Sequence, residues 1–299
     1  MLQGDTLAPF LFIIALDYAM RIATADSSTG FTLKKRKGRR QPAETITDTD
    51  FADDIALLSD LVEEGQLLLL RVECAAAQIG LHVNETKTEY IIQNQQSTEI
   101  VTLEGHQLKE VQDFQYIGAW IANSEKYLNV RIAKAWTASN KMSKIWKSNL
   151  SRKLKINFFQ ATVESVLMYG AETWTLTKLL EKRLDGAYTK LLRASLDITW
   201  KQHKTNAELY GDIPPISVTL RGHRLRFIGH CWRSKNEVIH KLLLWEPTHG
   251  NRSVGRHHFT YIDQLVQDTG IQKEWLHAIM EDQKNWREIV NEVRARSSR

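Results

Sequence analysis

Cysteine is scarce in this sequence, and long apolar runs are absent. Two cysteines, Cys74 and Cys231, stand among 299 residues, which is too few for a disulfide framework and too few by themselves for a zinc site. The expected compartment is therefore intracellular and reducing, nuclear or cytoplasmic. The apolar segment from Pro9 to Leu16 spans only about two helical turns and lacks a preceding basic region, so neither a signal peptide nor a membrane helix of roughly 20 apolar residues is expected.

The charge is unevenly divided along the chain. Residues 1 to 118 carry 10 Lys and Arg against 18 Asp and Glu, a net charge of −8, and residues 119 to 299 carry 30 against 17, a net charge of +13. An acidic first part followed by a basic, tryptophan-rich second part suggests a metal-bearing domain joined to one that faces a polyanion. The length suggests two domains, and 42% apolar residues suffice for a hydrophobic core.

Four carboxylates lie within seven residues, at Asp48, Asp50, Asp53 and Asp54, between two strand-like segments. Two unit charges about 4 Å apart repel by roughly 4 kcal/mol at an effective dielectric constant of about 20, so a packed acidic tip needs a cation or full exposure to water. The adjacent pair Asp53 and Asp54 is the candidate seat for Mg²⁺ or Mn²⁺, since hard cations take one or two carboxylates together with substrate phosphates. A solvated acidic turn is the alternative, and these residues alone favour neither.

Four sequence blocks follow one another across most of residues 1 to 121. They are QGDTLAPFLF (Gln3 to Phe12), FADD (Phe51 to Asp54), GLHVNETKTEY (Gly80 to Tyr90) and FQYIGAWI (Phe114 to Ile121). In their order and spacing they resemble motifs of the reverse transcriptases of non-LTR, LINE-type retrotransposons. Two later segments, SVLMYGAETW (Ser165 to Trp174) and RLRFIGHCWR (Arg224 to Arg233), resemble more loosely what lies downstream of the polymerase palm in the same enzymes.

This resemblance implies an RNA template, a DNA primer and deoxynucleotide triphosphates as partners, with Mg²⁺ or Mn²⁺ as cofactor. It makes Asp53 and Asp54 catalytic metal ligands and places Lys87 near the leaving pyrophosphate, where an ammonium neutralises or protonates developing charge. The other implied contacts are the nucleotide and template residues Gln3, Gly4, Phe51 and Ala52, and the primer grip Tyr116, Ile117 and Gly118. Without the resemblance, Lys87 is a surface turn lysine and Gln3 and Gly4 belong to a helix-capping turn.

Basic residues mark two further candidate surfaces. The segment Lys34 to Arg40 has six basic residues in seven, and a solvated loop, a nuclear localisation signal and a phosphate-contacting loop are comparable interpretations of it. In the second part, helical tryptophans are more often core anchors than base-stacking platforms, so the arginines between them are the better candidates for phosphate contacts. The candidate nucleic-acid contacts are Lys34, Lys35, Arg36, Lys37, Arg221, Arg224 and Arg226.

The hydrophobic periodicity predicts an α+β fold. A partial polymerase palm is expected over residues 1 to 121, with a small antiparallel sheet that holds the FADD hairpin and two helices on one face, one largely buried from Pro9 to about Ala25 and one from Leu61 to Ile79. A helical, thumb-like region is expected over residues 122 to 246, and a linker with C-terminal helices over residues 247 to 299. The predicted helices of the second part are Tyr127 to Leu150, Lys153 to Tyr169, Leu179 to Leu196 and Ser217 to Trp232, with two or three more in Thr260 to Val293.

The family that this chain resembles builds its two-metal site from three carboxylates, the third on a strand upstream of the QG block. That block begins at residue 3, so the third carboxylate and the fingers region are expected to be missing and the chain alone is expected to be inactive. The leading hypothesis is a fragment of an RNA-directed DNA polymerase of a LINE-type element, with two-metal nucleotidyl transfer in the intact enzyme. The alternatives are a non-catalytic RNA- or DNA-binding protein derived from such an element, and a translated remnant without a stable fold.

Overall fold

The computed structural model describes residues 6–25, 29–36, 38–40, 43–93, 95–121, 123–234, 237–245 and 259–296. The described residues form two compact units, which we call unit 1, before Asn123, and unit 2, from Asn123 onward. Unit 1 combines helices with short strands and unit 2 is helical, so the predicted α+β class is confirmed. No described helix has the length and apolarity that crossing a membrane requires.

Unit 1 is built from two helices and four ribbons of two strands. The helices are α1 (Ala8–Ala23) and α2 (Val62–Gln78). The strands are β1 (Phe31–Lys34), β2 (Glu44–Ile46), β3 (Asp48–Phe51), β4 (Asp54–Leu57), β5 (Glu89–Tyr90), β6 (Lys109–Glu110), β7 (Phe114–Tyr116) and β8 (Ala119–Ile121). Strands β1–β2, β3–β4 and β7–β8 pair antiparallel, and β5–β6 pair in parallel.

The strands of unit 1 do not join into the single small sheet that we expect from the sequence. In the described part of the chain each pair stands alone as a two-stranded sheet. Strands of two to four residues offer few ladder hydrogen bonds, and all four pairs in the described residues join strands that are consecutive in the chain. Pairing therefore remains local.

One face of α1 forms the core of unit 1. The cluster contains Ala19, Met20 and Ala23 of α1 and Val72 and Ala75 of α2, with Ile55 and Leu57 of β4 packed against it. The expectation that α1 is largely buried is wrong, because Phe10 is 67% exposed and Ile13, Ile14 and Tyr18 are exposed as well. Apolar residues surround this helix, whereas the described elements of unit 1 cover only the side that faces α2 and β4.

The described residues of unit 2 are mostly helical. The helices are α3 (Ser124–Lys141), α4 (Ser143–Trp146), α5 (Arg152–Phe159), α6 (Ser165–Leu167), α7 (Lys178–Ser195), α8 (Asn206–Tyr210), α9 (Ile216–Arg233), α10 (Glu237–Leu243), α11 (Tyr261–Thr269), α12 (Lys273–Glu281) and α13 (Gln283–Arg296). The bounds of α7 and α9 agree with prediction to within one residue. The helix predicted from Tyr127 to Leu150 ends at Lys141 instead, and a π-helical turn, Gln160–Glu164, interrupts the one predicted from Lys153 to Tyr169.

Buried tryptophans anchor unit 2. Trp146, Trp174 and Trp286 are buried, and the indole nitrogen of Trp146 donates to the carbonyl oxygen of Ser139 at 2.8 Å. Trp200 and Trp275 are exposed. The expectation that tryptophans are more often core anchors agrees with the first three, and the other two are exceptions to this tendency.

Candidate functional site

The acidic hairpin consists of β3 and β4 joined by a two-residue turn. Phe51 pairs with Asp54, so Ala52 and Asp53 are the turn residues. Ala52 has a φ of 55°, and no positive φ is found at Asp53, which is the pattern of a type II′ turn and matches the twist of the strands. Alanine in this left-handed region costs about 1 kcal/mol that glycine would avoid. The turn places Asp53 at the tip and Asp54 at the start of β4.

Asp53 and Asp54 offer an accessible pair of hard oxygen ligands. Both side chains are exposed, as are the adjacent Phe51 and Ala52. In the described part of the chain, no third aspartate, glutamate, histidine or cysteine forms with this pair a group whose ligand atoms all lie within 4.8 Å of one another. Two carboxylates with open solvent around them fit a cation that completes its coordination with water and substrate phosphates.

The other two aspartates of the hairpin, Asp48 and Asp50, point to a different side. Asp50 pairs with Ile55 and Asp48 with Leu57, and residues opposite each other in an antiparallel pair share one face. Ile55 and Leu57 face the core, so both aspartates lie on that face and do not join the tip. The alternation of side chains along a strand predicts this division. The expectation that all four carboxylates form one acidic tip is therefore wrong.

Asp50 has a shifted acidity because of this position. Partial burial, the neighbouring Asp48 carboxylate with its hydrogen bond, and Asp17 of α1 together raise the pKa of Asp50 to about 6, although the side chain keeps an exposed surface. Charging Asp50 at neutral pH therefore works against folding, because the folded chain holds the proton more tightly than the unfolded chain does.

Replacing Asp50 with Asn is expected to stabilise the protein at neutral pH. The pKa of Asp50 rises from 3.8 to about 6 on folding, so the associated stability is present at low pH and is lost as the pH rises from about 4 through 6. After allowance for screening by solvent, the gain at pH 7.5 should be up to about 1 kcal/mol, and it should shrink to less than half at pH 4.5. Urea unfolding of both proteins at the two pH values measures it. The exposed Asp212→Asn serves as control, and an equal gain at both pH values would contradict the assignment.

The second hairpin of the site, β7–β8, contacts the acidic hairpin directly. The hydroxyl of Tyr116 donates to the carbonyl oxygen of Thr49 at 2.8 Å and lies 3.3 Å from that of Asp54, so it touches the backbone of both β3 and β4. The turn residues Ile117 and Gly118 both have positive φ, 48° and 75°, the pattern of a type I′ turn. A β-branched residue in this region is strained by about 1 to 3 kcal/mol. The structure thus brings the predicted primer grip to the predicted metal hairpin.

Lys87 lies in a turn that Asn84 organises. The side-chain oxygen of Asn84 accepts from the backbone N–H of Lys87 at 3.2 Å and from the hydroxyl of Thr86 at 2.8 Å. The Lys87 side chain is exposed, and in the described residues it forms no ion pair within 4.0 Å. The structure does not join Lys87 to Asp53 or Asp54.

The predicted basic contacts of unit 1 are exposed where they are described. Lys34, Lys35 and Arg36 are exposed, and Lys34 lies 3.5 Å from Glu44 across the β1–β2 pair. Lys37, like Gln3 and Gly4, lies outside the described residues. The three interpretations of this basic segment therefore stay open.

The prediction that Arg224 contacts phosphates is wrong. Its side chain is 0% exposed, forms an ion pair with Asp268 and donates to the carbonyl oxygen of Trp174 at 3.1 Å. Arg221 is partly exposed and pairs with Glu181 at 3.2 Å. Arg226 is exposed and donates to the carbonyl oxygen of Gly222 at 3.2 Å. The helical spacing of basic residues shows that they lie on one helix. It does not show which of them forms an ion pair with an acidic residue of a distant helix.

Comparison with known proteins gives a coarse assignment. No protein-family model matches the chain. An uncharacterized transposon-derived protein of Caenorhabditis elegans is 25% identical over 273 residues, which cover 84% of this chain and 97% of that protein. This similarity indicates a transposon-related origin. It agrees with the transposable-element origin that the sequence resemblance implies. It gives no evidence of reverse transcriptase activity.

A further group of titratable residues in unit 1 was not found from the sequence. The ligand atoms of Glu85, Glu104 and His106 lie within 4.8 Å of one another. Nδ1 of His106 is 2.6 Å from Oε2 of Glu85, and this contact raises the pKa of His106 and lowers the pKa of Glu85. The backbone bridge between Val101 and Gln107 places Glu104 and His106 at one turn. Val101 and Gln107 are close in the chain, so the sequence can predict the turn between them. The contact of Glu85 with this turn cannot be predicted in the same way, because Glu85 lies far from it in the chain.

Proposed function

We propose that this transposon-related chain derives from the reverse transcriptase of a LINE-type element and that its acidic hairpin is the metal-binding tip of the polymerase palm. The hydrogen bonds from Tyr116 to the backbone of β3 and β4 carry the proposal. They join two motifs that lie about 60 residues apart in the sequence, as a site that holds a primer end beside catalytic carboxylates requires.

In this proposal Asp53 and Asp54 are the ligands of Mg²⁺ or Mn²⁺. The bound cation would neutralise the charge that develops on the phosphate oxygens during transfer of a nucleotide to a primer 3′-hydroxyl. The strained turn at Ile117 and Gly118 supports the primer end, because a fixed backbone holds the hydroxyl better than a mobile loop. Lys87 serves the leaving pyrophosphate, and Phe51 and Ala52, with Gln3 and Gly4, contact nucleotide and template.

The partners in this proposal are an RNA template, a DNA primer and deoxynucleotide triphosphates. A two-metal site shares three carboxylates between its ions in the family that the chain resembles, and the described residues bring two to the tip. We therefore propose that the purified chain binds the cation and nucleic acid but does not extend a primer by itself.

A second candidate function is a non-catalytic RNA- or DNA-binding protein. The observation in its favour is the net charge of +13 over residues 119 to 299, because clustered Lys and Arg bind phosphates without any catalytic metal. Substitution of Asp53 and Asp54 distinguishes the two candidate functions, because binding of nucleic acid without catalysis does not use these two residues.

The experiment is a titration of the full chain with Mn²⁺, detected by electron paramagnetic resonance. The double variant Asp53→Asn/Asp54→Asn is compared with Glu63→Gln/Glu64→Gln, an adjacent acidic pair on α2 of the same unit. Residues that merely orient metal ligands change metal affinity at least about tenfold when replaced, so loss of both ligands should weaken Mn²⁺ binding by at least that factor. The control pair should stay within about twofold.

A primer-extension assay on an RNA template accompanies the titration. Unchanged Mn²⁺ affinity in the Asp53/Asp54 variant would refute the metal site. Incorporation by the wild-type chain above the level of that variant would support the site but contradict the proposed inactivity. If the wild-type chain binds the metal ion but has no affinity for primer and template, the hairpin is a metal site without a polymerase function.

A further inference from the structure

Helix α7 segregates its charges by sign. Its exposed charged residues are Lys178, Lys182, Arg183 and Lys190. Its two acidic residues face other helices, where Glu181 pairs with Arg221 at 3.2 Å and Asp185 accepts hydrogen bonds from the backbone N–H and the hydroxyl of Ser217 at 3.0 and 2.9 Å. The exposed charges of α7 are therefore all positive. The count of 30 basic and 17 acidic residues over residues 119 to 299 does not show this separation.

An open groove of about 600 Å³ runs between α7 and α3, and we call it the α3–α7 groove. From α3 it is lined by Ile132, Ala133 and Trp136, and from α7 by Arg183, Gly186 and Lys190. Trp136 is half-buried, so part of its indole is accessible. A Cβ added at Gly186 would meet no atom within 4 Å, which shows that the groove is open above this residue. Its charged lining residues are both cations.

We propose that the α3–α7 groove takes an unpaired base of a single-stranded nucleic acid, with the base against Trp136 and flanking phosphates at Arg183 and Lys190. The inference rests on the proposed function in one respect, namely that the chain binds nucleic acid. It assigns the binding to the α3–α7 groove, because the predicted contact Arg224 is buried.

The chemistry of the lining supports this occupant. Bases stack on accessible aromatic side chains whatever their sequence, and a cationic path beside them follows the backbone. The volume lies within the range of roughly 300 to 1,000 Å³ of small-ligand pockets. The exposed cations continue along α7 at Lys178 and Lys182, which suits a polyanion with a charge at every nucleotide. Glu125 is 2.9 Å from Arg183 in an exposed pair, and a phosphate displaces such a weak partner easily.

Two variants of the full chain test the groove. Gly186→Leu places a side chain into the open space without removing a charge, and leucine favours the helix more than glycine does. Arg183→Gln/Lys190→Gln removes one arginine and one lysine, and its matched control, Arg287→Gln/Lys284→Gln, removes the same pair from the exposed face of α13. The probe is a fluorescein-labelled 12-nucleotide single strand, read by anisotropy over a range of salt concentrations, with circular dichroism to confirm folding.

Gly186→Leu should weaken binding at least about fivefold without changing the salt dependence, because stacking is lost and no phosphate contact is. Arg183→Gln/Lys190→Gln should weaken binding and reduce the slope of log affinity against log salt by about 1.4, at about 0.7 for each phosphate contact with a single strand. The control pair should change affinity less than about twofold.

The outcomes separate this inference from the proposed function. Tight binding by the wild-type chain that neither groove variant weakens beyond the control pair would overturn the groove and leave nucleic-acid binding intact. A wild-type chain that binds no oligonucleotide at low salt would overturn both. Displacement of the oligonucleotide from the groove by an acidic helical peptide that binds more tightly would assign the groove to a protein partner and overturn the inference.

Discussion

Replacing Arg224 with Ala is expected to lower the free energy of unfolding by about 2 to 4 kcal/mol, because it removes the closer of two arginine partners from a buried carboxylate. The side chains of Arg224 and Asp268 are 0% and 1% exposed and form an ion pair. Asp268 keeps Arg221, whose Nε lies 3.6 Å from its carboxylate, and it accepts from the side-chain amide of Gln264 at 3.0 Å. These two contacts only partly replace the lost ion pair, and the substitution also leaves a cavity where the buried Arg224 side chain packs.

Urea unfolding of the full chain at pH 7 measures this loss. The matched control is Arg226→Ala, two residues along the same helix and exposed, which should change the unfolding free energy by less than about 0.5 kcal/mol. The double variant Arg224→Met/Asp268→Leu, in which both charges are replaced by apolar side chains, should recover most of the loss. Full stability of Arg224→Ala with weakened nucleic-acid binding would instead return Arg224 to the phosphate surface.

Replacing Trp286 with Ala is expected to cost about 3 to 5 kcal/mol of unfolding free energy. Trp286 is 2% exposed and lies in the cluster that joins α9, α11, α12 and α13. Its indole nitrogen donates to the carbonyl oxygen of Leu225 at 2.7 Å. The substitution therefore removes a large apolar side chain, leaves a cavity and breaks a buried hydrogen bond.

Thermal and urea unfolding check this prediction, with Trp275→Ala as control. Trp275 lies on α12 and is 62% exposed, so its removal should change stability by less than about 0.5 kcal/mol. A companion substitution tests the local fit. The indole of Trp286 occupies the space that a Cβ at Gly229 would need, so Gly229→Ala should be destabilising by about 1 to 3 kcal/mol in the wild type. In the Trp286→Ala background the same change should be nearly neutral, and an equal cost in both backgrounds would contradict this packing.

These contacts explain the segment RLRFIGHCWR, Arg224 to Arg233, in structural terms. Its first arginine is neutralised inside unit 2, its glycine makes room for Trp286, and Arg233 donates to the carbonyl oxygen of Met280 at 2.7 Å. The segment is thus a core helix that organises the C-terminal helices. Arg224 of this segment therefore serves packing, whereas the charged residues exposed on α7 are cations.

Local sequence determines the elements of the candidate site. The strand-like residues around the FADD block form the β3–β4 hairpin, and Gly80 follows α2, which ends at Gln78, close to the predicted end at Ile79. These features are predictable because strand pairing, turn conformation and helix termination depend on partners within a few residues.

Tertiary structure alone decides what each charged or aromatic group meets. The sequence places Arg224 on a helix, but its burial depends on Asp268, 44 residues away. The raised pKa of Asp50 depends first on its partial burial and then on Asp48 and the distant Asp17, and the placement of Tyr116 depends on a contact with Thr49, 67 residues earlier. The exposed apolar side of α1 is likewise invisible to periodicity. Burial and Coulomb interactions are set by distances in space, and spacing along the chain does not report them.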